Sequence, residues 1–172
     1  MTIKTLQLAV LATALALGAC AKKPPAVLPP DPGSGTSATD GANSDQQAGA
    51  VRPGSQADFL GSVPSDRIYF DTDAFNVDDQ DRSILDAQAT WLQKYPSVRV
   101  TIEGHCDERG TREYNIALGD RRANAAKNYL QSRGIDAGRM TVISWGKERP
   151  QSTGSDETAW AQNRRSVTVV PE

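Results

Sequence analysis

The sequence has few of the residues on which metal sites and covalent catalysis depend. Its 172 residues include two cysteines and a single histidine. Without a second histidine or a pair of cysteines at metal-ligand spacing, the usual zinc sites are excluded. The chain also lacks a Ser-His-Asp order and a glycine-rich phosphate loop. We therefore predict a protein that has no catalytic centre, no metal ion and no cofactor.

An excess of positive charge is absent as well. The chain has 19 lysines and arginines against 21 aspartates and glutamates, which gives a net charge of −2. A nucleic-acid-binding protein normally carries a strongly basic face, so this balance argues against nucleic acid as a partner. Long apolar runs are equally scarce: one lies near the amino terminus, and no later run is long enough to span a bilayer.

The first 20 residues predict a lipoprotein signal peptide, residues 1–19, followed by a lipid-modified cysteine. Lys4 supplies the charged start, and residues 6–17 form an apolar segment too short for a stable transmembrane helix. The tetrapeptide Leu-Gly-Ala-Cys that ends at Cys20 resembles a bacterial lipobox. We expect acyl chains on Cys20, each buried methylene adding about 0.8 kcal/mol of membrane affinity. The alternative is a plain secretory signal with a chance cysteine.

Residues 20–63 predict a disordered tether. The segment is rich first in proline and then in glycine, serine, alanine, aspartate and glutamine, a composition that cannot bury a core. A flexible coil of about 40 residues has a root-mean-square span of roughly 35 Å. With Lys22 rather than an aspartate beside the lipid, the chain resembles lipoproteins that are exported to the outer membrane. We therefore expect it to be anchored at the periplasmic face of the outer membrane. A spacer without a tuned length is the alternative interpretation.

Residues 64–172 predict a single α/β domain in which helices cover a mixed β-sheet. Apolar patterns predict strands at residues 67–70, 98–103, 140–145 and 166–170. Helical periodicity and capping residues predict helices at residues 78–95, 111–133 and 155–162. The order is therefore βαβα, then β, a short helix and β, with right-handed crossovers wherever strands run parallel.

The candidate binding site lies within residues 98–130. Their strand ends in a glycine-flanked acidic loop that contains Asp107, and the following helix carries Asn115, Leu118 and Arg122 on one face. A carboxylate and a guanidinium held close together can bind a ligand that has both an ammonium and a carboxylate group. A surface salt bridge between Asp107 and Arg122 is the simpler alternative, because such pairs are common on helices.

The segment EGHCDERGTREYNIALGDRRANAAKNYL resembles the signature of the OmpA-like peptidoglycan-binding domain. The family pattern, Asn-x-x-Leu-Ser-x-x-Arg-Ala, is matched by Asn115, Leu118, Arg122 and Ala123. The chain departs from it at Gly119, where the family usually has serine. The resemblance covers roughly residues 66–170 and so implies the OmpA-like fold for the whole domain.

The resemblance also implies roles for individual residues. In the family, the loop aspartate and the motif arginine bind the zwitterionic end of diaminopimelate in the peptide stem of peptidoglycan. These roles fall on Asp107 and Arg122, with Tyr114, Asn115 and Leu118 as further members of the site.

Asp71 is a secondary candidate for the same site. It follows the first strand, so it should lie on the same edge of the sheet as Asp107. Its place after Phe70 agrees with the Phe-Asp pair that the family has here. An Asx turn that leads into Asp73 is the alternative interpretation.

A function and partners follow from the same resemblance. The resemblance implies that the chain holds the outer membrane to peptidoglycan without a covalent bond. It also implies a place in the Tol system, which acts in outer-membrane invagination and integrity during cell division, with the periplasmic protein TolB as a partner. An OmpA-like lipoprotein with the same ligand but without a Tol role is the alternative.

His105 and Cys106 raise the possibility of an enzyme, which the strand pattern disfavours. Adjacent residues on a strand point to opposite faces, so these two side chains are poorly placed to form a dyad. In phase with the apolar strand residues before it, Cys106 should be a small buried side chain. A periplasmic hydrolase that uses His105 or Cys106 is the rival from another functional class. Arg164 and Arg165 are expected to form salt bridges and pack their stems beside the last strand.

Overall fold

A computed structural model describes residues 51–172. The predicted signal peptide, Cys20 and most of the predicted tether lie outside these residues. The described residues form four α-helices, a 3-10 turn at Ala137–Arg139, and four strands. In chain order these are α1 (Gln56–Ser62), β1 (Arg67–Tyr69), α2 (Asp79–Lys94), β2 (Val100–His105), α3 (Arg112–Ser132), β3 (Met140–Gly146), α4 (Glu157–Asn163) and β4 (Arg165–Val169). None of these helices is long and apolar enough to cross a membrane.

The strands form one mixed sheet in the order β1-β4-β2-β3. Strands β2 and β3 are parallel, whereas β4 is antiparallel to both β1 and β2. Helix α3 connects the parallel pair, and the apolar core lies between the sheet and helices α2 and α3. The predicted α/β fold with a mixed sheet is therefore confirmed.

Helix α3, which carries most of the candidate site, begins and ends where the sequence predicts. The hydroxyl of Thr111 caps its start by accepting a hydrogen bond of 3.2 Å from the backbone N–H of Tyr114. Gly134 follows its last turn with a φ of 88°, a conformation that glycine adopts without steric cost. These two residues fix the length of the helix and therefore which turns reach the acidic loop.

The segment before β1 differs from the prediction. The sequence predicts disorder as far as residue 63, but Gln56–Ser62 form helix α1. Phe59 on this helix is completely buried, with its ring centroid 4.9 Å from that of Trp91. The indole N–H of Trp91 also donates to Asp58 at 3.1 Å. The prediction of disorder is therefore wrong for this helix. It rested on the average composition of the segment, which one buried aromatic residue hardly changes.

Strand β2 and helix α3 approach each other through two glycines. A Cβ atom on Gly104 would clash with the carbonyl oxygen of Gly119, and one on Gly119 would clash with the hydroxyl of Ser144. That hydroxyl donates a hydrogen bond of 2.7 Å to the carbonyl oxygen of Ile116. Ser144 therefore occupies the space that a serine at position 119 would need, which explains why this chain has glycine there.

We expect Gly104→Ala to destabilise the domain by about 3 kcal/mol or more, at the upper end of overpacking, because its new methyl group meets backbone rather than a movable side chain. Thermal unfolding of the full-length protein, followed by circular dichroism, measures the loss. Gly61→Ala is the matched control: it lies in α1 with no atom near its Cβ position, and should raise stability by about 0.4–1 kcal/mol. Equal unfolding temperatures for the two variants would contradict the close approach.

Candidate functional site

A cavity of about 270 Å³ opens where the loop after β2 meets the first turns of α3. Its lining consists of Thr72, Asp73, Cys106, Asp107, Arg109, Gly110, Tyr114, Asn115, Leu118 and Arg122. Three segments supply these residues: the loop after β1, the loop after β2, and α3. The structure thus brings five of the six predicted binding residues together around one cavity, and Asp71 is the exception.

Arg122 is the most constrained side chain of the cavity, with only 1% of its surface exposed. Its Nε donates to the carbonyl oxygen of Ala74 at 2.8 Å, its Nη1 to that of His105 at 3.0 Å, and its Nη2 to that of Asp71 at 3.0 Å. Burial lowers the pKa of Arg122, but a guanidinium stays protonated in proteins. The side chain therefore ties the loop after β1 to the end of β2 while keeping its charge.

Asp107 pairs with Arg109 rather than with Arg122. The Nη2 of Arg109 lies 2.7 Å from Oδ2, while its Nε and its backbone N–H each donate to Oδ1 at 3.1 Å. The Nη1 of Arg164 lies 3.6 Å from Oδ2, beyond hydrogen-bond distance. The simple alternative, a surface salt bridge between Asp107 and Arg122, is therefore wrong, because both side chains are buried and each has other partners.

The pKa of Asp107 lies below its ordinary value. Burial acts to raise this pKa, but hydrogen bonds from the side chain and the backbone of Arg109 lower it, as do the positive charges of Arg109 and Arg164. The lowering effects win, so the carboxyl group is ionised at neutral pH. The cavity thus has a carboxylate in one wall and the guanidinium of Arg122 in another.

The remaining predicted residues shape the cavity. Asn115 donates from Nδ2 to the carbonyl oxygens of Arg109 at 2.7 Å and Thr111 at 3.0 Å, which fastens the acidic loop to the start of α3. Leu118 is buried and presents an apolar surface. Tyr114 is 43% exposed at the rim. The amide of Asn115 is therefore a positioning group, while the other two offer contact surface.

Asp71 does not occupy the place that the sequence predicts for its side chain. Its carboxylate is exposed and lines a different cavity, beside β1. Its backbone carbonyl, however, accepts one of the three hydrogen bonds from Arg122. The turn here closes through the backbone, with the N–H of Ala74 donating to the carbonyl oxygen of Asp71 at 3.2 Å. Asp71 therefore positions Arg122 through its main chain.

Five residues of the cavity wall were not among the predicted binding residues: Thr72, Asp73, Cys106, Arg109 and Gly110. Asp73 has a φ of 56°, which is uncommon for a residue other than glycine, and its Oδ1 accepts a hydrogen bond of 3.1 Å from the hydroxyl of Tyr114. The positive φ holds a second carboxylate at the rim. The closely spaced aspartates after β1 are the sequence feature that could have indicated this second carboxylate.

Helix α4 supports the acidic loop from the side. The guanidinium carbon of Arg109 lies 4.2 Å from the ring centroid of Trp160, a cation–π contact. The indole N–H of Trp160 donates to Glu108 at 3.1 Å. Glu157 accepts from Arg164 at 2.7 Å, which confirms the salt-bridging role predicted for that arginine. Trp160 and Glu108 are 52 positions apart, so no local spacing in the sequence indicates this support.

His105 and Cys106 are both buried, and each has a local partner. The Nε2 of His105 lies 3.3 Å from a carboxylate oxygen of Glu103, and burial together with the charge of Arg165 lowers its pKa to about 4. Cys106 donates from Sγ to the carbonyl oxygen of Asn115 at 3.3 Å, and burial raises the pKa of its thiol. The predicted burial of Cys106 is confirmed. From residue 51 onward, no group of three or more His, Cys, Asp or Glu side chains is arranged to hold a metal ion.

The cavity and its supports lie inside a segment that is recognisable across many proteins. A model of the OmpA family matches residues 69–164, more than half of the chain. The chain belongs to the OmpA family. The matched segment runs from the end of β1 to just after α4, so it contains every residue that lines the cavity.

Several similar relatives are named peptidoglycan-associated lipoproteins. The peptidoglycan-associated lipoprotein of Rhizobium meliloti (strain 1021) is 56% identical over 123 residues, which cover 72% of this chain and 69% of the relative. That of Brucella melitensis is 53% identical over 123 residues, 72% of this chain and 73% of the relative. The crystal structure of the peptidoglycan-associated lipoprotein from Burkholderia pseudomallei has a TM-score of 0.61 and 41% identity, covering 66% of this chain and 93% of that one.

We expect Arg109→Gln to raise the pKa of Asp107 toward its ordinary value of 3.8, because the variant loses the charged hydrogen bonds. The lowered pKa of Asp107 stabilises the folded protein above the pKa of the unfolded chain, and this contribution is lost as the pH falls through the folded pKa. The variant should therefore lose less stability than the wild type between about pH 5 and that folded pKa. NMR of the Asp107 carboxyl carbon measures its pKa, and chemical unfolding at each pH measures the free energy of unfolding.

Arg112→Gln is the control for this titration. Its guanidinium pairs with Glu148, 3.1 Å away, on the surface, so the pKa of Asp107 should stay where it is in the wild type. If Arg109→Gln and Arg112→Gln gave the same midpoint for Asp107, Arg109 would not be the group that lowers its pKa.

Proposed function

We propose that this protein binds peptidoglycan without a covalent bond, through the zwitterionic end of diaminopimelate in the peptide stem. The observation that carries the proposal is one small cavity with the buried guanidinium of Arg122 and the ionised carboxylate of Asp107 in its walls. The names of the relatives, peptidoglycan-associated lipoproteins, support the choice of polymer. The detailed contacts follow from the hydrogen-bonding capacity of each group.

Arg122 keeps the donors that a carboxylate needs. A guanidinium has five N–H donors, and three of them go to backbone carbonyl oxygens. The two that remain are one on each terminal nitrogen, and these are the donors that we assign to the ligand carboxylate. Because the three backbone bonds already fix the side chain, little of its conformational entropy is lost when the ligand binds.

Asp107 supplies the acceptor for the ammonium group. A carboxylate has about four lone-pair sites, and Arg109 uses only part of that capacity. Asp73 adds a second carboxylate at the rim of the cavity, where its Oδ1 accepts from Tyr114. Leu118 offers an apolar surface that suits the methylene chain between the two ends of diaminopimelate.

The same chemistry supports a binding protein over a hydrolase. With a pKa of about 4, His105 is a neutral imidazole at the pH of the periplasm, and its Nε2 faces Glu103. The raised pKa of Cys106 keeps it a thiol rather than the thiolate that acts as a nucleophile. Neither side chain has the activated partner that the rival hydrolase requires.

In this proposal the amino-terminal part of the chain is a lipid anchor and a tether. Acyl chains on Cys20 hold the protein in the outer membrane, and the residues between Cys20 and α1 span the gap to the wall. By its likeness to the peptidoglycan-associated lipoproteins, the protein acts in the Tol system with TolB as a partner. Its role there is outer-membrane invagination and integrity during cell division.

The full-length protein in detergent should sediment with sacculi that contain diaminopimelate, and free diaminopimelate should compete. Asp107→Asn should weaken binding about ten- to a hundredfold, since a hydrogen bond to a charged group contributes about 1.5–3 kcal/mol. Arg122→Lys should weaken binding at least as much, because an ammonium with three donors cannot replace five.

Asp120→Asn and Arg121→Lys are the matched controls for this measurement. They make the same two substitutions at exposed positions of α3, outside the cavity lining, and should bind like the wild type. Circular dichroism and thermal unfolding show which variants fold, and if Arg122→Lys does not, Asp107→Asn decides alone. Equal binding by Asp107→Asn and Asp120→Asn would refute the proposed contact.

Fractionation of cell envelopes tests the anchor and the Tol role together. The wild type should sediment with the outer membrane and retain TolB in a pull-down. After digestion of the wall, Cys20→Ser should shift to the soluble fraction because it has no acyl chains, yet it should retain TolB because the domain is unchanged. Association of Cys20→Ser with the outer membrane in the digested envelopes would contradict the lipid anchor. A wild type that retains no TolB would point to an OmpA-like lipoprotein outside the Tol system.

A further inference from the structure

A second and larger cavity, of about 770 Å³, has Asp71 in its lining. It is bordered by the edge strand β1, the first turns of α2, and α4. Its walls include apolar surface from Tyr69, Phe70 and Ile84 as well as acidic side chains. The proposed binding of diaminopimelate does not involve this cavity.

Asp81 is the unusual residue of this cavity. It is only 5% exposed, and its Oδ1 accepts a weak hydrogen bond of 3.3 Å from the backbone N–H of Tyr69. Its Oδ2 is buried and has no hydrogen-bond partner among the residues that the structure describes. Burial raises the pKa of this carboxyl group. A buried carboxylate oxygen without a donor is costly, and a cationic donor would remove that cost.

The charge of the cavity lining favours a cation. Asp71, Asp78 and Asp81 contribute three negative charges, whereas Arg164 is the single basic residue of the lining. Arg164 is already engaged: its Nε donates to the carbonyl oxygen of Phe70 at 2.9 Å and its Nη2 to Glu157 at 2.7 Å. The acidic side chains therefore outnumber the positive charge that could neutralise them.

We propose that this cavity binds the side chain of an arginine or a lysine of a partner polypeptide, with the cationic head paired to Asp81. The aliphatic stem packs against Tyr69 and Ile84, since basic side chains bury their methylene groups along apolar surface. A polypeptide suits the position because Tyr69 is 43% exposed on an edge strand, and exposed tyrosines are enriched where proteins meet. A metal ion does not suit it, because the acidic residues of the described segment form no group of three that could hold one.

The test uses the full-length protein in detergent and the capped tripeptide acetyl-Ala-Arg-Ala-amide. The backbone amide of Tyr69, which donates to Asp81, is the local reporter in a nitrogen–proton NMR titration. We expect a saturable shift of this signal with the arginine peptide, and none with the peptide in which neutral citrulline replaces arginine. No saturable shift with the arginine peptide would overturn the proposal.

Asp81→Asn and Asp79→Asn form a matched pair for the same titration. Both remove one negative charge from the first turn of α2, but the side chain of Asp79 is 97% exposed and Asp79 does not line the cavity. Asp81→Asn should weaken binding at least tenfold, and Asp79→Asn should bind like the wild type. Equal weakening in both variants would mean a general charge effect and would overturn the site.

Free diaminopimelate, titrated in a separate arm, distinguishes a partner polypeptide from a second zwitterion site. It should cause no saturable shift of the Tyr69 amide signal, even at concentrations at which it displaces the protein from sacculi. Saturation by diaminopimelate but not by the arginine peptide would overturn the proposal while leaving the proposed function intact. If Asp81→Asn fails to fold, the comparison between the arginine and citrulline peptides still decides the question.

Discussion

The site depends on one guanidinium group that three backbone carbonyl oxygens hold in place. Arg122 reaches from α3 to Asp71 and Ala74 in the loop after β1 and to His105 at the end of β2. Asp71 and Ala74 lie outside the helices and strands, so a side-chain donor such as Arg122 helps to satisfy their carbonyl oxygens. The same three bonds that hold the two loops together also orient the guanidinium, which makes fold and binding geometry inseparable at this point.

A buried cation of this kind is costly unless its surroundings compensate it. Carbonyl dipoles compensate Arg122 in part, but the nearby carboxylate of Asp107 is already paired with Arg109 and lies 3.6 Å from Arg164. Asp107 is paired with Arg109, and Arg164 is paired with Glu157, so Arg122 forms no ion pair among the described residues. In the proposed complex, the carboxylate of the ligand supplies that missing anionic partner.

The sequence predicts this architecture well where the signal is local. Helix α3 has its cap at Thr111 and its end at Gly134 as predicted, and its periodicity places the candidate binding residues on one face. Contacts between residues that are far apart in the chain leave no pattern of local spacing in the sequence. The sequence could not say whether Asp107 pairs with Arg109 or Arg122, because the backbone path of the loop decides it. Nor could it show that Trp160 stacks on the loop from α4.

Arg164 links the two cavities physically. It lines the larger one, and its Nη1 lies 3.6 Å from the carboxylate of Asp107 in the smaller one. Its other nitrogens are held by Phe70 and Glu157, so its position is set by the residue that follows β1 and by helix α4. Any ligand that changes the position of this guanidinium changes the electrostatic potential at Asp107. Any such coupling is reciprocal by thermodynamic linkage: the free energy by which a ligand in one cavity changes binding in the other is the same in both directions.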